Sequence, residues 1–344
     1  MTDSEPARGA DRRARSLHTV RRRRALLVTA VVLLLGYTAF SGRRHLTSDS
    51  ARRPSYAGRL PGNKRGASFQ HLAESPAVSW PRSGQAAFVL GHGRATASPD
   101  EQPAPIASLT KVMTAYLTLQ RYPLNGQEEG FTITVTAGDA EAAAEDAGRS
   151  QSTVAVRSGE RLTERQLLEA LLIPSGNNVA RLLADLVAGS ESRFLAEMNA
   201  EARALGMRHT IYTDPSGFDP ATLSTAADQL RVFRQATRFA IFREIVSMAS
   251  TTLPVAGKLA NFNPLIAEGY AGKTGSDSAA GGCLAFFTDV AVDGRRRLAV
   301  GVVMGQGEGR NTKDLLAAAG EAARELVDSV AVAPATPAPP PAGP

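Results

Sequence analysis

Apolar and polar residues alternate differently at the two ends of the chain and in its middle. Strand-like runs lie at 86–98, 131–136, 282–292 and 298–304. Residues 163–247 carry mostly the 3.6-residue period of helices, which predicts helices at 167–173, 179–187 and 223–233. Thr312 to Val330 forms a closing amphipathic pattern. Because strands come from both ends with helices between, we predict an α+β fold: an antiparallel sheet flanked by helices, plus an all-helical lobe. Residues 294–297 are expected to form the turn of the last hairpin.

A further helix is expected to begin near Ser108. Its apolar positions are Leu109, Val112, Met113, Tyr116 and Leu117, and the opposite face is mostly Thr and Ala. This pattern predicts a helix that is buried nearly all round, unlike an amphipathic surface helix.

Charge separates the N-terminal part of the chain from the rest. Residues 1–65 hold 15 Lys and Arg against 4 Asp and Glu, a balance of +11, so the formal charge of +6 leaves −5 for residues 66–344. The folded part is mildly acidic, which argues against nucleic acid as a partner. The expected organisation is a basic cytoplasmic tail (1–24), a transmembrane signal-anchor (25–40), a linker (41–65), an extracytoplasmic domain (66–331) and an Ala/Pro-rich tail (332–344).

The membrane prediction rests on an uncharged apolar run, residues 25–40, directly after four arginines at 21–24. Sixteen helical residues span about 24 Å, and flanking arginines can extend that reach. The arginines before the run place the N-terminus in the cytoplasm. The alternative is secretion after cleavage of a signal peptide near Ala39-Phe40-Ser41.

Lysine is rare in this chain and marks candidate chemistry. Only five of the 39 basic residues are lysines, and two of them, Lys111 and Lys273, lie in short polar motifs. A buried lysine can lose its proton, whereas arginine effectively cannot. The lone Cys283 lies in an apolar run and is expected to be a buried hydrophobic residue. No metal site and no cofactor are expected.

The first motif, Ser108-Leu109-Thr110-Lys111, places a hydroxyl and an amine one helical turn apart. A serine is a weak nucleophile until a base removes its proton, and a buried lysine can serve as that base. The alternative is an N-capping serine beside a surface lysine.

Two other motifs follow along the chain. Ser175-Gly176-Asn177 lies between two helical patterns, where it either aims a hydroxyl and a carboxamide into a cleft or merely caps a helix. Lys273-Thr274-Gly275 lies on a predicted strand, where it either binds a carboxylate or forms a polar turn. Each motif is weak alone, but the three in this order form the set found in penicillin-recognising serine enzymes.

The chain resembles the serine-type D-alanyl-D-alanine carboxypeptidases, which are low-molecular-mass penicillin-binding proteins. The likeness covers about residues 70–330. It rests on the segments 107–115, 172–178, 205–207, 214–217, 261–263 and 273–284. It implies a two-lobed fold of the penicillin-binding and serine β-lactamase type, and a substrate drawn from peptidoglycan stem peptides.

The resemblance also implies catalytic roles for three residues. Ser108 would attack the carbonyl between the two terminal D-alanines and form an acyl-enzyme, with Lys111 as its base. Ser175 would relay a proton to the leaving D-alanine. β-Lactam antibiotics would inhibit the enzyme by acylating the same serine.

The remaining motif residues are implied to bind substrate. Asn177 would position the base and the substrate amide, while Lys273 and Thr274 would bind the terminal carboxylate beside Gly275. Lys273 would also support the hydroxyl of the second motif. The backbone N–H groups of the nucleophile and of Ser276 would form the oxyanion hole.

Two rival functions share these motifs. A serine β-lactamase of this type carries a Glu-x-x-x-Asn loop between the second and third motifs, and the corresponding region, residues 213–218, reads Thr-Asp-Pro-Ser-Gly-Phe. A non-catalytic scaffold that keeps the fold is the other rival, although all the polar motif residues are intact.

Overall fold

A five-stranded antiparallel sheet lies at the centre of the computed structural model, which describes residues 78–307, 309 and 311–331. The strands of the described residues are β1 Gln85–Leu90, β2 Thr96–Ala97, β3 Ala104–Pro105, β4 Thr132–Thr134, β5 Arg161–Thr163, β6 Leu223–Ser224, β7 Ser250–Leu253, β8 Gly257–Ala260, β9 Ala271–Asp277, β10 Gly281–Val292 and β11 Arg295–Gln306. The order in the main sheet is β2-β1-β11-β10-β9. Since β1 pairs with β11, the sheet is assembled from both ends of the domain, as the pattern predicted.

The hairpin between β10 and β11 turns more tightly than expected. Asp293 and Gly294 both have positive φ, +50° and +72°, as a two-residue type I′ turn requires. Arg295 and the two arginines after it therefore already belong to β11, and the predicted turn at 294–297 was placed too late.

Helices form the second lobe and cover the sheet. They are α1 Lys111–Arg121, α2 Ala137–Gly148, α3 Glu164–Leu172, α4 Asn177–Ala188, α5 Glu191–Ala204, α6 Ala226–Ala236, α7 Ala240–Val246 and α8 Thr312–Ala331 in the described part of the chain. Thr136 and Thr163 begin α2 and α3 with complete capping boxes, which satisfy the first free N–H groups of each helix. The helix predicted from residue 223 begins three residues later, because Leu223–Ser224 pair with β3 and Thr225 caps α6.

Two apolar cores lie on the two faces of the main sheet. On one face α8 packs against β10 and β11, in a core that includes Leu284, Phe286, Val303 and Leu326. On the other face lies the larger core, which includes most of α1. All residues of α1 from Lys111 to Leu119 are buried, so the prediction of a helix buried nearly all round is confirmed.

Cys283 lies in the larger core and is buried, as expected. Burial raises the pKa of its thiol to about 12, so the reactive thiolate is scarce at neutral pH. Among the described residues no cluster of His, Cys, Asp or Glu could hold a metal ion.

One buried carboxylate stands out among these elements. Glu164, the first residue of α3, is 1% exposed, and its Oε1 has no hydrogen-bond partner among the described residues. Burial raises the pKa of this carboxyl to about 7, against a smaller lowering by the backbone of Phe131.

The predicted membrane segment (25–40), the basic tail, the linker and the Ala/Pro-rich tail lie outside the described residues. Within residues 78–331, the structure contains no helix with both the length and the apolar character needed to cross a bilayer.

Candidate active site

A short 3₁₀ turn, not the α-helix itself, carries Ser108. The turn spans Ala107–Thr110, and α1 continues from it at Lys111. In a 3₁₀ turn residues three apart lie directly above one another, which brings Lys111 Nζ to 2.8 Å from Ser108 Oγ. Ser108 is partly exposed, whereas Lys111 has no exposed surface. The alternative of a capping serine with a surface lysine is therefore wrong.

Lys111 has three oxygen partners within 2.8 Å. Besides Ser108 Oγ, they are Asn177 Oδ1 at 2.7 Å and the main-chain oxygen of Ser216 at 2.8 Å. Burial and the nearby charge of Lys273 hold the pKa of Lys111 well below its usual range, and Asp214 opposes them. A lysine held in this way reaches its neutral form, which can accept a proton.

The oxygen of Ser216 comes from a loop stiffened by Asp214. The carboxylate of Asp214 accepts hydrogen bonds from the backbone N–H groups of Ser216, Gly217 and Phe218 at 3.0–3.1 Å. Gly217 has φ +79°, and a Cβ there would overlap the oxygen of Ala107 in the turn that carries the serine. The sequence marks this segment through the family resemblance and the comparison with β-lactamases, but it does not predict the contact with Lys111.

The second motif presents its serine through a strained backbone. Ser175 has φ +65°, a conformation that non-glycine residues rarely adopt and that is common at functional sites. Gly176, not Ser175, is the N-cap of α4, so Ser175 is not a capping residue. Instead, its Oγ accepts a hydrogen bond of 3.0 Å from Lys273 Nζ.

Lys273 belongs to β9, the edge strand of the main sheet, and is fully buried. Its Nζ donates to Ser175 Oγ and, at 2.8 Å, to the main-chain oxygen of Thr274. Burial lowers the pKa of Lys273 to about 7. The motif lies within a strand, so the alternative of a polar turn is wrong.

Glycine allows β9 to approach the turn that carries Ser108. A Cβ on Gly275 would lie 3.0 Å from Ser108 N and from the oxygen of Ile106, tighter than ordinary contacts. The third motif therefore lies directly beside the first. Thr274 is buried and Ser276 half-buried on the same strand, where Ser276 pairs in register with Gly282 of β10.

One neighbour of this cluster has no counterpart in the sequence motifs. Gln151, in the loop after α2, accepts a 2.9 Å hydrogen bond from Asn177 Nδ2. No motif marks this glutamine, since the loop reaches the cluster only through tertiary packing.

A partly exposed serine above a buried lysine, beside a second buried Ser–Lys pair, can form and break an acyl bond. These features define a serine acyl-transfer enzyme.

Comparison with known proteins specifies the family. Residues 94–308 match the family model of the S11 peptidases, described as D-alanyl-D-alanine carboxypeptidase. The chain therefore belongs to the D-alanyl-D-alanine carboxypeptidase family and is a serine-type, penicillin-binding peptidase. Enzymes of this family act on peptidoglycan peptides outside the cytoplasm.

Individual relatives agree with this assignment. The chain is 32% identical over 244 residues to the D-alanyl-D-alanine carboxypeptidase DacB2 of Mycobacterium tuberculosis, covering 68% of this chain and 77% of that protein. It is 33% identical over 149 residues to a D-alanyl-D-alanine endopeptidase of Pseudomonas aeruginosa, covering 43% of each.

The fold matches as well. A Streptomyces DD-transpeptidase crystal structure aligns with a TM-score of 0.61 at 22% identity, covering 73% of this chain and 98% of that one. The predicted two-lobed α+β fold is confirmed. The family match favours the carboxypeptidase over the β-lactamase and scaffold alternatives.

Proposed function

We propose that this enzyme removes the terminal D-alanine from peptidoglycan stem peptides through an acyl-enzyme on Ser108. The observation that carries the proposal is the 2.8 Å contact between the partly exposed Ser108 Oγ and the buried Lys111 Nζ. The serine oxygen attacks the carbonyl between the two D-alanines while its proton moves to the lysine.

The partners of Lys111 support its role as the base. A neutral lysine has two N–H bonds and one lone pair. Asn177 Oδ1 and the oxygen of Ser216 can only accept, so they take both N–H bonds. The lone pair is then left for the third partner, the hydroxyl of Ser108. This arrangement favours proton transfer from serine to lysine.

Ser175 and Lys273 complete the cycle in this proposal. Ser175 relays the proton to the leaving D-alanine, helped by the hydrogen bond from Lys273 Nζ. Water then cleaves the ester on Ser108. The charged form of Lys273, together with Thr274, binds the terminal carboxylate of the substrate.

The same proposal assigns the oxyanion hole to the backbone N–H groups of Ser108 and Ser276. Support comes from Gly275, whose lack of a side chain lets the strand lie against the nucleophile turn. Two N–H groups there would stabilise the oxygen charge that develops in the tetrahedral intermediate. β-Lactams, which carry a carboxylate and a reactive carbonyl, would occupy the same site.

Intact-mass spectrometry of the full-length protein in mild detergent tests this function. After brief mixing with benzylpenicillin, we expect a one-to-one adduct that is absent from Ser108→Ala, and release of D-alanine from a peptide ending in D-Ala-D-Ala. Fast penicillin hydrolysis without an adduct would point to the β-lactamase. Neither adduct nor hydrolysis would point to the scaffold.

For location, we propose a single-pass anchor at residues 25–40 with the catalytic domain outside the cytoplasm. The arginines at 21–24 and the apolar run support this proposal. Deleting residues 1–65 should move the enzyme from the membrane fraction to the soluble fraction and leave penicillin acylation unchanged. If the full-length gene yields protein in the medium that lacks residues 1–41, the cleaved signal peptide is favoured.

A further inference from the structure

A chain of polar side chains continues beyond Asn177, away from Lys111. Asn177 Nδ2 donates to Gln151 Oε1 at 2.9 Å, and Gln151 Nε2 donates to Asp146 Oδ1 at 3.1 Å. Asp146, on α2, is 6% exposed and forms an ion pair with Arg181 of α4. The chain thus runs from the candidate base to a largely buried carboxylate.

The carboxylate determines which way both carboxamides face. An ionised carboxylate accepts hydrogen bonds and cannot donate one, so Gln151 must turn its NH₂ group toward Asp146. The oxygen of Gln151 then faces Asn177, which must donate to it from its own NH₂ group. Consequently the oxygen of Asn177 faces Lys111. A single acceptor therefore sets the orientation of two amides in series.

The backbone holds this chain in place independently of the side chains. Gln151 N donates to the oxygen of Asp146 at 3.1 Å, and Asn177 N donates to the oxygen of Ser152 at 2.7 Å. Because the main chain is tied at both ends, the carboxamides have little freedom except rotation about their last bond. That rotation would exchange oxygen for NH₂ at Lys111.

Rotation of Asn177 would interfere with the base. With its NH₂ group toward Lys111, Asn177 would donate a hydrogen bond to the lysine lone pair. The lone pair would then be unavailable to Ser108, and the lysine would remain neutral without accepting the serine proton. The correct amide orientation therefore matters for rate as well as for packing.

We propose that Asp146 and Gln151 are positioning residues for acylation, which act through Asn177 to keep the lone pair of Lys111 directed at Ser108. The proposal rests on the proposed role of Lys111 as the base. Neither residue belongs to the three sequence motifs.

The test is the pH dependence of the second-order rate of acylation by benzylpenicillin, measured on the full-length protein. In Asp146→Asn the new amide can donate or accept, so the two carboxamides are free to rotate. We expect the plateau rate to fall about tenfold, the effect of losing one hydrogen-bond preference. The acidic limb should move to lower pH, because donation to the lone pair stabilises neutral lysine.

Structural damage would give the opposite shift. Water entering a loosened site would return the pKa of Lys111 toward its ordinary value and move the acidic limb to higher pH. Lys273 and Asp214, the charged groups that most influence Lys111, are unchanged in the variant. A limb that moves to higher pH would therefore overturn the proposal.

A double variant supplies the matched control. Asp146→Asn with Gln151→Glu exchanges the carboxylate and the amide and keeps the net charge, and the carboxylate again forces Asn177 to donate. We expect the double variant to recover most of the rate that Asp146→Asn alone loses. Gln151→Met keeps the charge of Asp146 but removes the amide, and should also lose about tenfold.

The outcomes separate this inference from the proposed function. If wild-type protein forms no adduct on Ser108, the proposed function itself fails. If wild type is acylated but Asp146→Asn and Gln151→Met match its rate and pH profile, or the double variant is no faster than Asp146→Asn, the positioning role is overturned.

Discussion

Replacing Lys111 by arginine removes the proposed base but keeps a hydrogen-bond donor in the same place. A guanidinium retains N–H groups for Asn177 Oδ1 and the oxygen of Ser216, the two acceptors that Lys111 satisfies. It does not lose its proton at any pH that the protein tolerates, so it offers no lone pair to Ser108. Lys111→Arg therefore separates the role of the lysine in proton transfer from its role as a hydrogen-bond donor.

The expected loss follows from the geometry. Lys111 Nζ lies 2.8 Å from Ser108 Oγ, whereas Lys273, the other lysine of the site, donates to Ser175. Lys273 therefore does not replace Lys111 as the base for Ser108. General-base catalysis typically contributes about 10²- to 10⁴-fold, or about 3–5 kcal/mol of barrier. We expect acylation by benzylpenicillin to slow by about 10³-fold. The melting temperature should also fall by several degrees, because a buried guanidinium keeps its charge.

Rapid mixing followed by intact-mass spectrometry measures the acylation rate, with Ser108→Ala as the unreactive control. Circular dichroism at the assay temperature establishes that Lys111→Arg is folded. An acylation rate within tenfold of wild type, in a folded variant, would show that another group removes the serine proton and would refute this reasoning.

Three further predictions concern the carboxylate site, the nucleophile turn and stability. Since the pKa of Lys273 lies near 7, the lysine loses its charge as pH rises through that value, and kcat/KM for a substrate with a terminal carboxylate should fall. Lys273→Arg keeps the charge and should abolish this alkaline limb. Gly217→Ala should cost about 2–4 kcal/mol of unfolding free energy and slow acylation, because its Cβ would displace Ala107. The folded pKa of Glu164 is raised to about 7, so the unfolding free energy of wild type should fall by about 1–3 kcal/mol as pH rises from about 4.5 to 7, and Glu164→Gln should lose correspondingly less.

Two of these predictions have a matched control within the chain. Gly206 also has positive φ but open space around it, so Gly206→Ala should cost only about 1 kcal/mol and leave acylation unchanged. Glu128→Gln removes an exposed carboxylate and is the matched substitution for Glu164→Gln; equal pH dependence of stability in the two variants would refute the assignment to Glu164. An alkaline limb that survives Lys273→Arg would assign carboxylate binding to another group.

Periodicity predicted the helices and long strands well because their buried faces repeat at the spacing of the secondary structure itself. The sheet built from both ends and the buried α1 follow from such repeats. Short elements set by turn geometry were less predictable: Leu223–Ser224 form a strand where a helix was expected, and the Asp293-Gly294 turn is shorter than predicted. In both places a few backbone dihedrals and one local pairing outweigh the pattern of apolar residues.

The sequence alone predicted the candidate chemical groups of this enzyme. Three short motifs and the scarcity of lysine single out Ser108, Lys111, Ser175 and Lys273, because few residue types can act as nucleophile or as a base after burial. Only the tertiary structure decided how those groups are held. The oxygen of Ser216, the close approach of β9 and the chain through Gln151 to Asp146 join segments far apart in sequence. Such contacts leave no local pattern, since any residue has a main-chain oxygen and a glutamine is marked only by the neighbours it meets after folding.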